Sequence, residues 1–317
     1  MNWSSFCLGV LAASVYFGLP FWLALPCMVL VAVLPEILVP VLFPSAAKHG
    51  GARRKMMSAS WSDPSDPSVQ AELNLDATKI PSFLEAQSKA TGEKLTVTHL
   101  VLKALAVTLR DAVNLRGRLV FSHFVPYPSV DVSCLVVMEK TNNLATVTVR
   151  NCDKKSLAEI AGQVKGSAKS LRDEKDKDFQ KTVKTQASLP VCMLRSVAWM
   201  AGYLANSFGI DVAFLGASRF HFGCCIVTAL GSIGLEKAMV PLTPFARVPL
   251  LVSVGLMAMQ PAVVGEGESA KVVPRLTLPL TVTLDHRFVD GAHTLRMAKD
   301  LRRLIENPEE LLAAEKK

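Results

Sequence analysis

The sequence predicts an α/β domain, a mixed sheet with helices packed over it, set behind an apolar N-terminal segment. Two observations carry this. From Val69 onward, β-branched runs alternate with segments whose apolar residues recur at helical spacing. The strongest hydrophobicity is confined to the beginning of the chain. Of the 317 residues 50% are hydrophobic, yet residues 1–35 contain no charged side chain and Glu36 is the only one before Lys48.

That opening stretch is long enough to matter. About 20 consecutive apolar residues cross a bilayer as one helix. Residues 1–47 are therefore expected to hold one span, around Val10 to Val33, or two short spans, because Pro20, Pro26, Pro35 and Pro40 interrupt the run. A cleaved signal peptide would open with positive charge, whereas this chain opens Met1-Asn2-Trp3-Ser4-Ser5. Lys48, Arg53, Arg54 and Lys55 follow the apolar region. Basic flanks favour the cytoplasmic side, so the remainder is expected to face a reducing interior compartment, the cytoplasm or its equivalent. The seven cysteines agree, since none lies in a C-x-x-C pair and Cys224 and Cys225 are adjacent. Such spacing suits free thiols better than a disulfide framework or a zinc site, and no metal is expected. The net charge of +8 is spread along the chain. It suits an anionic membrane surface or a phosphorylated ligand. No basic stripe is interleaved with aromatics, so nucleic acid is not an expected partner.

A basic and polar linker, residues 48–68, ends in Ser58–Ser68, where Asp-Pro pairs and serines mark irregular chain. The remaining domain is expected over 69–317. Val69–Leu75 reads as a strand and Ala77–Ala90 as a helix closed by Thr91-Gly92. Thr96–Val113 reads as a second helix, with Leu100, Val101, Leu105 and Leu109 on one face. Asp131–Met138 and Leu144–Val149 are strand-like through their β-branched content. Ser156–Leu171 is a helix opened by a Ser156-to-Glu159 capping box. Leu276–Leu284 alternates as a strand, and His293–Ile305 is a helix stopped at Pro308. Residues 189–222 stand apart as an apolar stretch carrying Arg195, Asn206, Asp211 and Arg219. It reads either as buried helix or as an interfacial segment, for which Trp199 and Tyr203 suit headgroup depth.

Chemistry concentrates in Leu280–Ala292, LTVTLDHRFVDGA. A strand-like run ends at Asp285-His286-Arg287, a turn follows at Asp290-Gly291, and a helix begins. A histidine at a strand end beside a glycine turn can project into a cleft and exchange a proton near neutral pH. On composition alone, the structural reading of His286 is favoured over the catalytic one, because most of the six histidines need no catalytic account. Asp290 can hold the loop rigid by ion pairing or hydrogen bonding.

The His286-x-x-x-Asp290-Gly291 pattern resembles the active-site signature of the dihydrolipoamide acyltransferases of 2-oxoacid dehydrogenase complexes, a family related to chloramphenicol acetyltransferase. The likeness extends to TVTHLVLKALAVTLRDAVNLRGRL, PSVDVSCLVV, VTVRNCDKKSLAEIAGQVKGSAKSLRD, IVTALGSIG and the C-terminal PRLTLPLTVTLDHRFVDGAHTLRMAKDLRRLIENPEELL. It covers roughly Arg53 to Leu312. The resemblance implies a chloramphenicol-acetyltransferase-like two-layer sandwich that forms homotrimers with the active site between subunits. It implies coenzyme A or acyl-CoA as substrate, with His286 as general base, Thr228 as oxyanion donor and Asp290 as support of the catalytic loop. Arg287 and Asp285 match family positions with structural roles, and His293 lies outside the chemistry.

The departures bear on the acceptor. There is no room for a lipoyl domain or a small subunit-binding domain, and no lipoyl attachment site, so any lipoyl acceptor would belong to a separate protein. The family's Gly-Leu after the central strand is Asn143-Leu144, the Asn before Leu-Gly is Ala229, and 189–222 looks inserted. Two classes of function follow. One is a CoA-dependent acyltransferase using a dihydrolipoamide-like thiol or another acceptor. The other is a non-catalytic, membrane-anchored trimeric scaffold.

Overall fold

The computed structural model describes residues 26, 29–30, 34, 37–45, 67–138, 143–173, 191–265 and 267–314. Most of the expected membrane segment and of the linker lies outside these. Among the described residues, no helix is long and apolar enough to cross a membrane.

The strands are β1 (Ser68–Asp76), β2 (Gly117–Val120), β3 (His123–Pro126), β4 (Val132–Met138), β5 (Asn143–Val149), β6 (Cys225–Ala229), β7 (Leu250–Val254), β8 (Ala258–Val264) and β9 (Lys271–Asp285). The helices are α1 (Ile80–Thr91), α2 (Val97–Asp111), α3 (Leu157–Arg172), α4 (Val191–Gly202), α5 (Gly291–Glu306) and α6 (Glu309–Ala314). One sheet has the order β1-β9-β7-β6-β4-β5, with β8 also on β9. β4, β6 and β7 run parallel and the other pairs antiparallel, which makes the sheet mixed as expected. β2 and β3 form a separate hairpin.

Alternation fixes which face is core. Leu278, Leu280, Val282 and Leu284 of β9 point into the main cluster with Leu250, Val252 and Val254 of β7, against α2, α5 and α6. α2 is buried on nearly every side, from Leu100 to Leu109. Its Lys103 is fully buried, and the ammonium donates to the carbonyls of Asp153 (2.9 Å) and Lys155 (2.5 Å). The opposite sheet face carries Ser253, Thr281 and Thr283. Their hydroxyls hold the covering loop by donating to Ala238 O and Val240 O at 2.6–2.9 Å. A smaller apolar cluster of Ile226, Ala246, Val248 and Leu251 fills the gap beneath that loop.

Local signals placed most elements correctly. Gly92 closes α1 in the left-handed region, at φ 72°. Ser156 and Glu159 form the capping box of α3. β9 is longer than alternation suggested, because its first half pairs with β8 outside the core, where burial imposes no apolar period. The chain resumes as α6 after Pro308, since proline is tolerated just ahead of a new first turn.

Cys134, Cys152, Cys224 and Cys225 are free and buried. Burial pushes the Cys134 and Cys224 thiols up to about 12 and the Cys225 thiol well above its ordinary value. Iodoacetamide at about pH 8, which attacks thiolates, should leave these four unmodified in the folded protein and alkylate them after unfolding in urea. Peptide mass spectrometry reads this, and prompt labelling of the folded chain would contradict the packing.

Candidate active site

The last residues of β9 carry the histidine to the sheet edge. Asp285 N donates to Pro249 O and His286 N to Pro67 O, both at 2.9 Å. These bonds tie the strand end to the chain ahead of β7 and to the residue that precedes β1. His286 is half-buried in the turn that follows. Arg287 folds back on Asp285, with Nε at 3.0 and 3.1 Å from the two carboxylate oxygens and Nη2 at 2.7 Å from Oδ2. The Arg287 backbone N–H donates to the same carboxylate at 2.9 Å. Phe288 and Val289 turn inward and join the core, Phe288 edge-on to Phe124 at 6.1 Å. The motif therefore anchors itself with its third and fourth residues and leaves the histidine at the rim.

Asp290 is the N-cap of α5. Its Oδ1 accepts from the backbone N–H groups of Ala292 (3.0 Å) and His293 (3.2 Å), and its carbonyl accepts from the Thr294 hydroxyl (3.0 Å). Such a cap satisfies two of the orphan donors at a helix start. His293, expected outside the chemistry, stands in the first turn of α5 with its Nδ1 2.8 Å from Asp290 Oδ1, as the i, i+3 spacing allows. A Cβ on Gly291 would meet nothing within 4 Å, so the packing of this chain alone does not demand the motif's glycine.

Thr228 sits near the end of β6, 8% exposed, on the face that also carries Ile226. The turn after it is tight. A Cβ on Gly231 would come within 2.5 Å of Gly255 O, so glycine is required there by close backbone approach.

Within one chain the structure does not bring Thr228 to His286. Thr228 pairs with Ser253, Ser253 with Thr281, and His286 lies five residues further along. At about 3.3 Å per residue and about 4.8 Å per strand, the separation is roughly 20 Å. β6 runs parallel to β7 while β9 runs antiparallel, so their C-terminal ends point to opposite ends of the sheet along the strand direction. Asp285, His286, Arg287, Asp290 and His293 form one cluster, and Thr228 stands apart. The groove between β1, β8 and α5 lies elsewhere, and its Arg275–Asp76 and Arg302–Glu306 pairs satisfy each other. Among the described residues, no group of three or more His, Cys, Asp or Glu side chains could hold a metal.

Fold and motif together define an acyltransferase catalytic domain. A family model of the 2-oxoacid dehydrogenases acyltransferase (catalytic domain) matches residues 46–184 and 214–313, and the chain belongs to that family. It is 27% identical over 242 residues to the dihydrolipoyllysine-residue acetyltransferase component of the pyruvate dehydrogenase complex of Azotobacter vinelandii, covering 75% of this chain and 31% of that protein. It is 24% identical over 265 residues to the corresponding component of the acetoin cleaving system of Bacillus subtilis, covering 82% and 55%. The chain thus spans between about a third and about half the length of these relatives. The cubic core of a pyruvate dehydrogenase multienzyme complex has the same fold, with a TM-score of 0.58 at 24% identity over 84% of this chain and 90% of that one.

Arg287→Ala should lower stability by about 3 kcal/mol, because it strands a buried carboxylate. Asp290→Ala should cost about 1–2 kcal/mol through loss of the cap. Thermal unfolding reads both, and an unchanged midpoint in either would show that the loop is not held as described.

Proposed function

We propose that this protein is a CoA-dependent acyltransferase in which His286 is the general base. The observation that carries this reading is the clamped position of His286. It stands at a strand end between a buried ion pair and a capped helix, which fixes its backbone and leaves the residue half-buried. In the reaction, the thiol of CoA or of a dihydrolipoamide-like acceptor gives its proton to the His286 imidazole. The thiolate attacks the acyl thioester carbonyl, forming a new C–S bond and a tetrahedral oxyanion. Collapse breaks the old C–S bond, and the departing thiolate takes the proton from the imidazolium.

Thr228 is the proposed donor to that oxyanion, supplied by a neighbouring subunit of a homotrimer. The distance of roughly 20 Å within one chain supports this division, since neither residue reaches the other's substrate unaided. One relative of this fold is the A. vinelandii dihydrolipoamide acetyltransferase, studied for a serine, a histidine and an asparagine in its catalytic mechanism. Its histidine and asparagine are four residues apart, as His286 and Asp290 are. The acyl acceptor is a separate lipoyl-bearing protein or another thiol. The uncharged residues 1–35 hold the domain at a membrane, and it faces a reducing interior.

Acyl-CoA supplied with candidate acceptors, with release of free CoA as the readout, tests the activity. His286→Ala should lower kcat by about 100- to 10,000-fold. Thr228→Ala should lower it by about 100-fold, since it removes one donor and leaves the base. As a control, His99→Gln should leave turnover within a few-fold, because glutamine can still accept from Thr96 N as His99 Nδ1 does at 3.2 Å. Equal and small effects of His286→Ala and His99→Gln would favour the scaffold.

Subunit sharing has its own test. Co-refolding equal amounts of the His286→Ala and Thr228→Ala chains should restore about a quarter of wild-type turnover, because each shared site draws one residue from each neighbour. No recovery in a mixed assembly would sink the shared site.

A further inference from the structure

Two of the stretches that the family model passes over, 1–45 and 185–213, meet through their described residues Val39, Phe43 and Phe208. Val39, near the end of the apolar N-terminal stretch, is 1% exposed. It packs against Val120 and Val125 of the β2–β3 hairpin, with Phe43, Phe121 and Phe208 around them. Phe208 closes the π-helical turn Tyr203–Phe208 that continues α4. The hairpin is the shared seat.

Arg118 of β2 locks both pieces to it. Its side chain is buried, with the guanidinium 5.4 Å from the centre of the Phe43 ring, 5.3 Å from Tyr127 and 4.7 Å from Phe220. Its Nε donates to Ser207 O at 2.7 Å. One cation thus holds the N-terminal segment on one side and the π-helical turn on the other. Tyr203 adds a second tie. Its hydroxyl accepts from Phe121 N at 3.1 Å, and its ring stacks on Trp199 at 5.3 Å. A flexible tether has no need of such a joint.

Both pieces keep apolar side chains on the outside. Val41 and Leu42 are 68% and 62% exposed, and Met200, Ile210 and Phe214 are 48%, 50% and 77% exposed. What covers them is indicated by what adjoins them. Thirty-five uncharged residues lead into the docked segment, and Lys48, Arg53, Arg54 and Lys55 follow it. Exposed apolar side chains on a segment that basic residues follow in the sequence suit the interface of an anionic bilayer. We propose that residues 37–45, the β2–β3 hairpin and the α4/π-helical insertion form one platform that seats the domain on the surface of a lipid bilayer, with Ile210 and Phe214 entering the interface.

The proposal rests on the membrane reading above, and its test separates the two. In the full-length chain, Trp3, Trp22 and Trp61 are replaced by phenylalanine so that Trp199 alone fluoresces. The protein is reconstituted into vesicles of phosphatidylcholine and phosphatidylserine, with and without brominated acyl chains. Trp199 emission should fall about twofold or more in the brominated vesicles, as expected at headgroup depth. Adding Ile210→Glu and Phe214→Glu should abolish most of that quenching while the chain still floats with the vesicles. Failure to float overturns the membrane reading and the platform together. Flotation without quenching overturns the platform alone, whether the domain hangs free or a second copy covers the face. Quenching that survives the two glutamates removes Ile210 and Phe214 from the contact.

Discussion

Nine residues of β9 are in register with β1 on one edge, and five with β7 and seven with β8 on the other. Residues 280–284 are therefore held on both sides. This double pairing sets the two faces of the sheet. Leucine and valine point to the helices, while Thr281 and Thr283 point to the covering loop. A slip of one residue would exchange them, so burial enforces the register. It also fixes where β9 ends. His286 follows a strand with little freedom left, and the bonds to Pro67 and Pro249 extend that restraint by one more residue.

The placement of His286 and the stability of its loop are consequently the same problem here. The Asp285–Arg287 pair, the Phe288 and Val289 anchors and the Asp290 cap act on successive residues, each through a different interaction. Ion pair, apolar burial and helix capping together hold the loop on both sides of the half-buried His286. The reversal of strand direction between β7 and β9 then keeps Thr228 and His286 at opposite ends of the strands, which is why the proposed site draws on two chains.

The parts outside the family match show a related economy. The insertion does not sit on the catalytic machinery. It packs beside the β2–β3 hairpin, where Arg118 is buried among three aromatic rings. A buried guanidinium is costly unless its charge and donors are engaged, and here ring faces and backbone carbonyls engage them. Gly202 records the closeness of this packing, since a Cβ there would stand 2.2 Å from Phe245 O.

What the sequence determined by itself was local and periodic. Alternation marked the inner half of β9, β-branched content marked β4 and β5, helical spacing marked α2, and capping signals marked α1 and α3, because each depends on residues close in the chain. The motif around His286 was legible for the same reason, being a continuous strand end, turn and cap. The outer half of β9, its partner β8 and the short hairpin escaped, since exposed or very short strands carry no obligatory apolar period. Only the tertiary structure decided that Thr228 and His286 stand at opposite ends of the sheet's strands, and that residues 37–45 and the insertion share one seat. Strand polarity and the meeting of segments distant in sequence arise from long-range pairing, which no local spacing encodes.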